Sequence, residues 1–452
     1  MINSYFSNGK QYSFSRRSAS ATGNGNIFTI IVGKNGTGKS RLLRGLVFDL
    51  LRDEINLRDF SDLPSGIKEH SIGEIEGEKP LKVVCVSTSP FDRFPLPRRD
   101  QNLRYYSYLG LRGLATANLG LAYLGRVIHA LMAAASRDRT HASSIATVLD
   151  YLGYEPAIKA SFRFSSPTLA QRMLGGDDPR EAIGNYVNGS ITRLDHTFAL
   201  KKLLDVDDKT MRNVLSALTR LSERSSKQAI EVWLSRDGVS VYRSGNVTSE
   251  EITLLSEYGV LQLRDVELRK ATSDSVFKIN EMSSGEQSVI MSLLGIGSQI
   301  QDNALICIDE PEVCLHPEWQ ERYIQLLSSI FSHHTGCHFI IATHSPQIVS
   351  QLPRKSCYIM EMETGAAQRS AEFYRKSIDF QLATLFNAPG FRNEYISRIS
   401  INLFLKAGKA KYFDAEDKSQ VRFLKKVVGK IPEGDPLLEV IDSIDQMYKK
   451  YG

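Results

Sequence analysis

Two adjacent carboxylates, Asp309 and Glu310, close an apolar run at 304–308. A lysine and a hydroxyl, Lys39 and Ser40, close a glycine-rich run that begins at Gly33. These are the side chains that phosphoryl transfer asks for. The lysine reaches the β- and γ-phosphates of a nucleoside triphosphate, a hydroxyl and an aspartate hold Mg²⁺, and a second carboxylate polarises the attacking water. An acid pair at a strand end is by itself also an ordinary start to a polar loop. What raises it above that is the run at 33–40, which fits the phosphate-loop pattern G-x-x-x-x-G-K-[ST].

The elements that must position these groups are legible on either side. Residues 27–32 are apolar and β-branched and read as a buried strand. Leu42, Leu43, Leu46, Val47, Leu50 and Leu51 then recur at helical spacing. Between them, Gly33, Asn35, Gly36 and Gly38 form a loop whose backbone N–H groups can turn toward a phosphate, at the positive end of a helix. A second apolar strand, 81–87, ends in a proline-bearing loop at 89–95. Loops at such strand ends face the ligand crevice of a parallel sheet, which makes Asp92, Arg93 and Gln101 candidates for sensing nucleotide, with a structural turn as the alternative.

Composition narrows the class. The 452 residues allow one large domain with an insertion, or two or three smaller ones. With 42% hydrophobic and 24% charged residues the chain can bury a sizeable core and reads as a soluble globular protein. The net charge of +5 permits nucleic-acid contact without arguing for it. The five cysteines form no C-x-x-C pair, and Cys85 and Cys307 sit inside apolar runs, which is the usage of a reducing cytosol. No signal-peptide-like apolar core begins the chain, and the apolar stretch 119–135, interrupted by Arg126 and His129, reads as a buried helix rather than a membrane span.

Along the rest of the chain, Tyr5, Phe6, Tyr12 and Phe14 offer either a stacking face for adenine or core packing. Residues 100–225 read as mainly helical, with Met211, Val214, Leu215, Leu218 and Leu221 on one face and no sustained heptad. Arg93, Arg98, Arg99, Arg104 and Arg112 make a loose basic run near its start, either solvated surface or a nucleic-acid contact. Two short strand-like runs around Arg236, Asp237 and Gly238 predict a hairpin, and 261–268 with 276–279 a further strand pair. His333, His334 and His338 are metal-like in type, but a connecting turn explains them and no distant zinc-type ligand pair appears. From 377 onward the pattern is helix, turn and helix, with a loop at 432–436 before a final helix.

Met282, Ser283, Ser284, Gly285, Glu286 and Gln287 precede a helix whose apolar residues are Ile290, Leu293 and Leu294. This run resembles the signature motif of ABC-type ATPases, in the S-S-G-E-Q form of compact soluble members near the SMC, RecF and OLD groups. Leu315, His316 and Pro317 stand at the family's D-loop, and His344, after the strand 338–342, matches its switch histidine. The resemblance implies that Ser283 and Gly285 bind the γ-phosphate held by another subunit, and that His344 contacts the γ-phosphate of its own. The architecture is similar to bacterial anti-phage ATPases, the PtuA subunit of Septu systems and ATPases encoded beside retrons.

The expected fold is α/β: an ABC-type ATPase core with a mainly parallel sheet and an antiparallel sheet. The core would be drawn from 1–99 and 226–365, with a helical insertion at 100–225 and a helical region at 366–452. The expected site has Glu310 and His344 as catalytic groups, Gly33, Asn35, Gly36, Gly38, Lys39, Ser40, Ser283 and Gly285 on ATP, and Ser40 and Asp309 on Mg²⁺. The expected role is a cytoplasmic, ATP-hydrolysing sensor that forms a homodimer or higher oligomer and controls a separate effector, a nuclease or toxin. The alternatives are a RecF-type repair ATPase acting directly on DNA and a nucleotide-locked scaffold; an intact Glu310 weighs against the scaffold. No nuclease constellation is legible: neither a strand glutamate with D-x-D nor an H-N-H pattern appears.

Overall fold

The structure, a computed structural model, describes residues 1–15, 25–52, 54, 60, 73–97, 103–112, 119–137, 139–176, 178–189, 194–222, 229–242, 247–273, 275–313 and 315–452. The chain opens on a hairpin, β1 (Ile2–Ser7) and β2 (Lys10–Ser13). Next come β3 (Ile27–Val32), α1 (Lys39–Leu51), β4 (Glu74–Gly77), β5 (Lys82–Ser87) and β6 (Tyr106–Gly110). Helices α2 (Leu119–Arg137) and α3 (Arg139–Tyr151) lead into a long strand, β7 (Tyr154–Phe164). Four helices follow: α4 (Pro167–Leu174), α5 (Pro179–Gly189), α6 (Leu194–Leu204) and α7 (Asp208–Ser222). Then come β8 (Ile230–Ser235), β9 (Gly238–Tyr242), α8 (Ser249–Glu257), β10 (Leu261–Lys270) and β11 (Val276–Lys278).

From there strands and helices alternate: α9 (Ser284–Gln299), β12 (Ala304–Asp309), α10 (Pro317–Ile330), β13 (His338–Ala342), α11 (Pro346–Ser350), β14 (Cys357–Glu361) and β15 (Ala367–Arg369). Four helices end the chain: α12 (Ile378–Thr384), α13 (Glu394–Ala410), α14 (Ala415–Val427) and α15 (Leu437–Tyr451).

The main sheet has seven strands in the order β15-β14-β3-β13-β12-β5-β6. Every neighbouring pair is parallel except β14 with β15. All residues of β3, β12 and β13 are buried, so these strands read as continuous apolar runs, as strands covered on both faces must. One face packs on α1 and the small sheet β2-β1-β4; the buried Tyr5 and Phe14 lie in that cluster with Leu43 and Leu46. Those two aromatics are core, not adenine platforms. Cys85 and Cys307 are register partners on β5 and β12, both fully buried.

The other face packs on α2, α3 and α9 and continues into a five-stranded antiparallel sheet, β11-β10-β7-β8-β9. The α/β class, with one mainly parallel sheet and antiparallel sheets beside it, is as expected. The stretch 100–225 is not uniformly helical, however. β6 is the edge of the main sheet and β7 is the central strand of the antiparallel sheet. The signal in β7 is a period of two: Ile158, Ala160 and Phe162 are fully buried, and Lys159 on the other face pairs with Glu231 and Glu267 across both neighbouring strands. Pro156 obscures that signal, because it lacks a ladder donor; pairing with β10 is irregular between Ile158 and Tyr154, where it sits. The helices of this stretch that follow β7 are α4 to α7; the first is capped by Ser166, whose side chain accepts from the Leu169 N–H.

Candidate nucleotide site

The order β3-β13-β12 brings three strand ends side by side, and each carries chemistry into the same crevice. β3 ends in the glycine loop, β12 in Asp309 and Glu310, and β13 in Thr343 and His344. The loop demands its glycines. Gly38 caps α1 at φ 93°, in the left-handed region. A Cβ on Gly33 would stand 2.9 Å from Thr37 Oγ1 and 3.0 Å from Met362 Cβ. α1 begins at Lys39, so its first N–H groups and its positive end face the loop.

Lys39 is buried and donates from Nζ to the carbonyl oxygens of Gly33 at 2.9 Å and Lys34 at 3.3 Å, and to His344 Nδ1 at 3.1 Å. Its three N–H bonds therefore all serve the place where a phosphate would lie. Because an ammonium only donates, Nδ1 of His344 is the acceptor and Nε2 carries the ring proton. Burial and the charge of Lys39 hold His344 down to about 4, in keeping with a neutral ring. Burial pulls Lys39 down to about 8, opposed by Glu312, Glu310 and Asp309. Ser40 Oγ donates to Asp309 Oδ1 at 3.1 Å. Burial, with help from the neighbouring acids, pushes Asp309 up to about 7.

These two oxygens are hard donors side by side, the kind of pair that suits Mg²⁺. A buried carboxylate lifted that far above its usual range gains most from a cation beside it. Glu310 lies beyond them, with Oε1 3.7 Å from His344 Nε2. Its backbone sits at φ 50°, unusual for a residue with a side chain and a form of strain that collects at functional sites.

Sequence reasoning passed over Glu312 and Thr343. Glu312 is mostly buried and accepts from Thr343 Oγ1 at 2.8 Å and from the His344 N–H at 2.5 Å. It fixes the backbone that carries His344. The available signal was the E-P-E spacing, which sets a second carboxylate two residues after Glu310. Ser283 caps α9: its Oγ accepts from the Glu286 N–H at 3.3 Å and donates to Glu286 Oε2 at 3.0 Å. Gly285 lies in the first turn of that helix and is buried. Asn35 and Gly36 sit in the turn of the glycine loop. Among the described residues no hydrogen bond joins Ser283 or Gly285 to 33–40.

Asp92 belongs to the fold. It is buried and accepts from Tyr108 Oη at 2.5 Å and from the Phe94 N–H at 3.1 Å, the structural-turn alternative. Gln101, Arg98, Arg99 and Cys314 lie outside the described residues. The histidines at the turn take separate partners: His333 Nε2 meets Ser144 Oγ at 2.8 Å, His334 Nδ1 lies 3.7 Å from Asp302, and His338 Nε2 meets Thr29 Oγ1 at 2.9 Å.

Residues 157–350 match the family described as "AAA domain, putative AbiEii toxin, Type IV TA system" (AAA_21). The glycine loop precedes the matched region, and the acid pair, the signature-like run and His344 fall inside it. Phage lambda protein ea59 is 34% identical over 116 residues, which is 24% of this chain and 22% of that protein, so the chain spans only a small part of it. The Vibrio cholerae protein named "Retron Vc95 probable ATPase" is 20% identical over 368 residues, 74% of this chain and 68% of that one. A Smc head from Pyrococcus furiosus, solved bound to the C-terminal domain of ScpA, overlays 81% of this chain and 95% of that one at 12% identity and a TM-score of 0.27. That overlay carries no weight beside the strand order and the convergence of Lys39, Ser40, Asp309, Glu310 and His344. The family match covers the region that carries the acid pair, and the retron relative extends along 74% of the chain; with the five converging side chains they support an ABC-like ATPase similar to the retron ATPases.

Proposed function

We propose that the chain is the ATP-binding and ATP-hydrolysing regulatory subunit of an anti-phage defence system. It would pair with a second copy through ATP and control a separate effector. The observation that carries the reading is the convergence of Lys39, Ser40, Asp309, Glu310 and His344 at three adjacent strand ends. The retron ATPases supply the biological context. The AbiEii-type description of the matched family points the same way.

In this reading the phosphates of ATP take over the three donors of Lys39, with loop N–H groups from Asn35, Gly36 and Gly38 around them. Ser40 and Asp309 would hold Mg²⁺, which would supply neutralisation of the phosphate charge. Glu310 accepts the proton of the attacking water, and neutral His344, positioned by Glu312, donates from Nε2 to the γ-phosphate. Ser283 and Gly285 of a second copy would complete the site. Support for that comes from where they stand: at a capped helix N-terminus that, among the described residues, makes no hydrogen bond to its own chain's glycine loop.

A physical tie links the site to the C-terminal helices. Val32 O accepts from the Met362 N–H at 2.9 Å. Glu363 Oε2 accepts from Asn387 Nδ2 at 3.3 Å, and Asn387 Oδ1 accepts from Lys430 Nζ at 2.8 Å. A strand end next to the loop thereby holds the region that would report nucleotide state.

The test is Glu310→Gln with purified protein. We expect ATP binding retained, turnover lowered by about a hundredfold or more, and a closed dimer that accumulates with ATP in size-exclusion chromatography. Parent-like turnover would sink the assignment of Glu310. Tight, salt-sensitive DNA binding that itself stimulates hydrolysis would move the reading to an enzyme acting on DNA.

A further inference from the structure

Helix α13 is apolar on two faces, and the fold covers one of them. Ile396, Ser400, Leu403 and Ala407 are buried in the cluster shared with α14 and α15. Ile401, Phe404 and Leu405 face away, 50%, 38% and 54% exposed, and Tyr412, just past the helix end, is 60% exposed. Positions 401, 404, 405 and 408 lie on one stripe of a helix, and Gly408 extends that stripe with a flat, unobstructed step. A surface helix needs only one apolar stripe to hold its place. The second stripe therefore contributes nothing to this chain's own packing. Contiguous exposed apolar surface of this kind marks a contact with another molecule. Other large exposed apolar side chains, such as Leu81, Tyr151 and Val276, belong to separate elements.

The edges of the stripe are basic. Arg398 and Lys409 flank it on one side and Lys411 follows just past the helix end, all exposed, and no ion pair involves them among the described residues. Lys406, further round the helix, is by contrast committed to Asp414 at 2.6 Å and Asp417 at 2.8 Å. Glu394, at the first turn, is the acid on this side of α13.

We propose that this face of α13 docks an amphipathic helix of a separate protein, apolar along its centre and acidic along its edges. The proposal rests on the reading of a separate effector and gives that effector a place to sit. A helix laid in this way has apolar anchors at three- and four-residue spacing. Acidic edges would meet Arg398, Lys409 and Lys411. A second copy of this chain fits poorly. Two such stripes crossing antiparallel about Phe404 bring Arg398 of one beside Lys409 of the other, on the same side of the stripe, like charge on like charge.

The test uses the full chain and two synthetic helical peptides with the same apolar stripe, one edged with glutamate and one with lysine. Fluorescence anisotropy is read for the parent, Ile401→Ser, Leu405→Ser and the double variant, with thermal melting to check folding and ATP turnover alongside. We expect the glutamate-edged peptide to bind the parent, to lose about tenfold or more in affinity with Leu405→Ser, and to weaken as salt rises. The lysine-edged peptide should bind far more weakly. Melting and turnover should stay at parent values, since both residues are exposed and remote from the nucleotide site.

Equal binding of the two peptides, or binding that survives the double variant, overturns the docking face. So does nucleotide-free self-association of the parent that Leu405→Ser abolishes, because the occupant is then a second copy. A parent that turns over ATP normally yet binds neither peptide also removes the docking face while leaving the regulatory ATPase reading intact. Peptide binding by a chain that fails to hydrolyse ATP upholds the face and removes that reading instead.

Discussion

At the scale of single residues, the site works by placing acids and bases where burial changes their charge. At Asp309, pushed up to about 7, a proton competes with any cation for the carboxylate. Mg²⁺-dependent nucleotide binding should therefore weaken as pH falls below about 7, and Asp309→Asn should remove that dependence; isothermal titration from about pH 5.5 to about pH 8.5, with and without Mg²⁺, reads both. The same raised value has a stability consequence. A carboxyl whose folded value lies above its unfolded one favours the folded state at low pH, and that contribution is lost as pH rises through about 7. Nucleotide-free parent should accordingly lose stability relative to Asp309→Asn as pH rises to about 7, measured by urea midpoints of both proteins. Lys39, pulled down to about 8, carries the opposite dependence for binding: Mg²⁺-free ATP binding should fall as pH climbs past that value. Lys39→Ala should cost about tenfold or more in ATP affinity, since a buried charged donor to three acceptors is removed.

At the scale of elements, what matters is how closely the strands and the loop fit. Gly33 touches the start of the loop and the end of β14 at once, so Gly33→Ala forces Met362 or Thr37 aside. ATP binding should drop while the melting temperature changes little, because the strain falls on a loop rather than on the core; a large fall in melting temperature with unchanged ATP affinity would contradict this. The small sheet depends on a different contact. Tyr5 Oη donates to Asp49 on α1 at 2.6 Å, and the Gly73 N–H reaches the same oxygen at 3.0 Å. Tyr5→Phe should destabilise the protein by about 1–3 kcal/mol, the cost of a half-buried carboxylate that loses a partner, read as a shifted denaturant midpoint. These two contacts also show why β1 and the loop at 33–40 are read differently from sequence. The loop's pattern is local, but Tyr5 pairs with a residue far along the chain, and an aromatic near a terminus looks the same whether it stacks on a ligand or packs on a helix.

At the scale of the whole molecule, the nucleotide site and the C-terminal helices share the strand end at 361–363. If nucleotide state is passed along that tie, ATP should change amide hydrogen exchange in α14 of the parent and leave it unchanged in Asn387→Ala, a variant that keeps the loop itself. Exchange that responds equally in both would place the coupling elsewhere. The same tie separates two kinds of surface on the C-terminal region. Lys430 and Asn387 face the core, and the exposed stripe of α13 faces outward.

The amino-acid sequence by itself singled out the candidate chemistry and determined the α/β class. Phosphate loops, acid pairs at strand ends and buried parallel strands are specified by short local patterns, so Gly33, Lys39, Ser40, Asp309 and Glu310 could be singled out as candidates from the residues, while His344 stood out only through the family resemblance. The exceptions have a common cause. β7 was hidden because its alternation is broken by Pro156 and its partners, β8 and β10, arrive about seventy and a hundred residues later. Glu312 looked like part of a loop until the fold set it against the backbone of His344. The second apolar stripe of α13 could not be told from its buried one, because hydrophobic spacing marks a face but not what covers it. Which strand ends meet, which carboxylate holds which backbone and which stripe stays bare are decided by strand order and packing between distant segments, and only the tertiary structure supplies those.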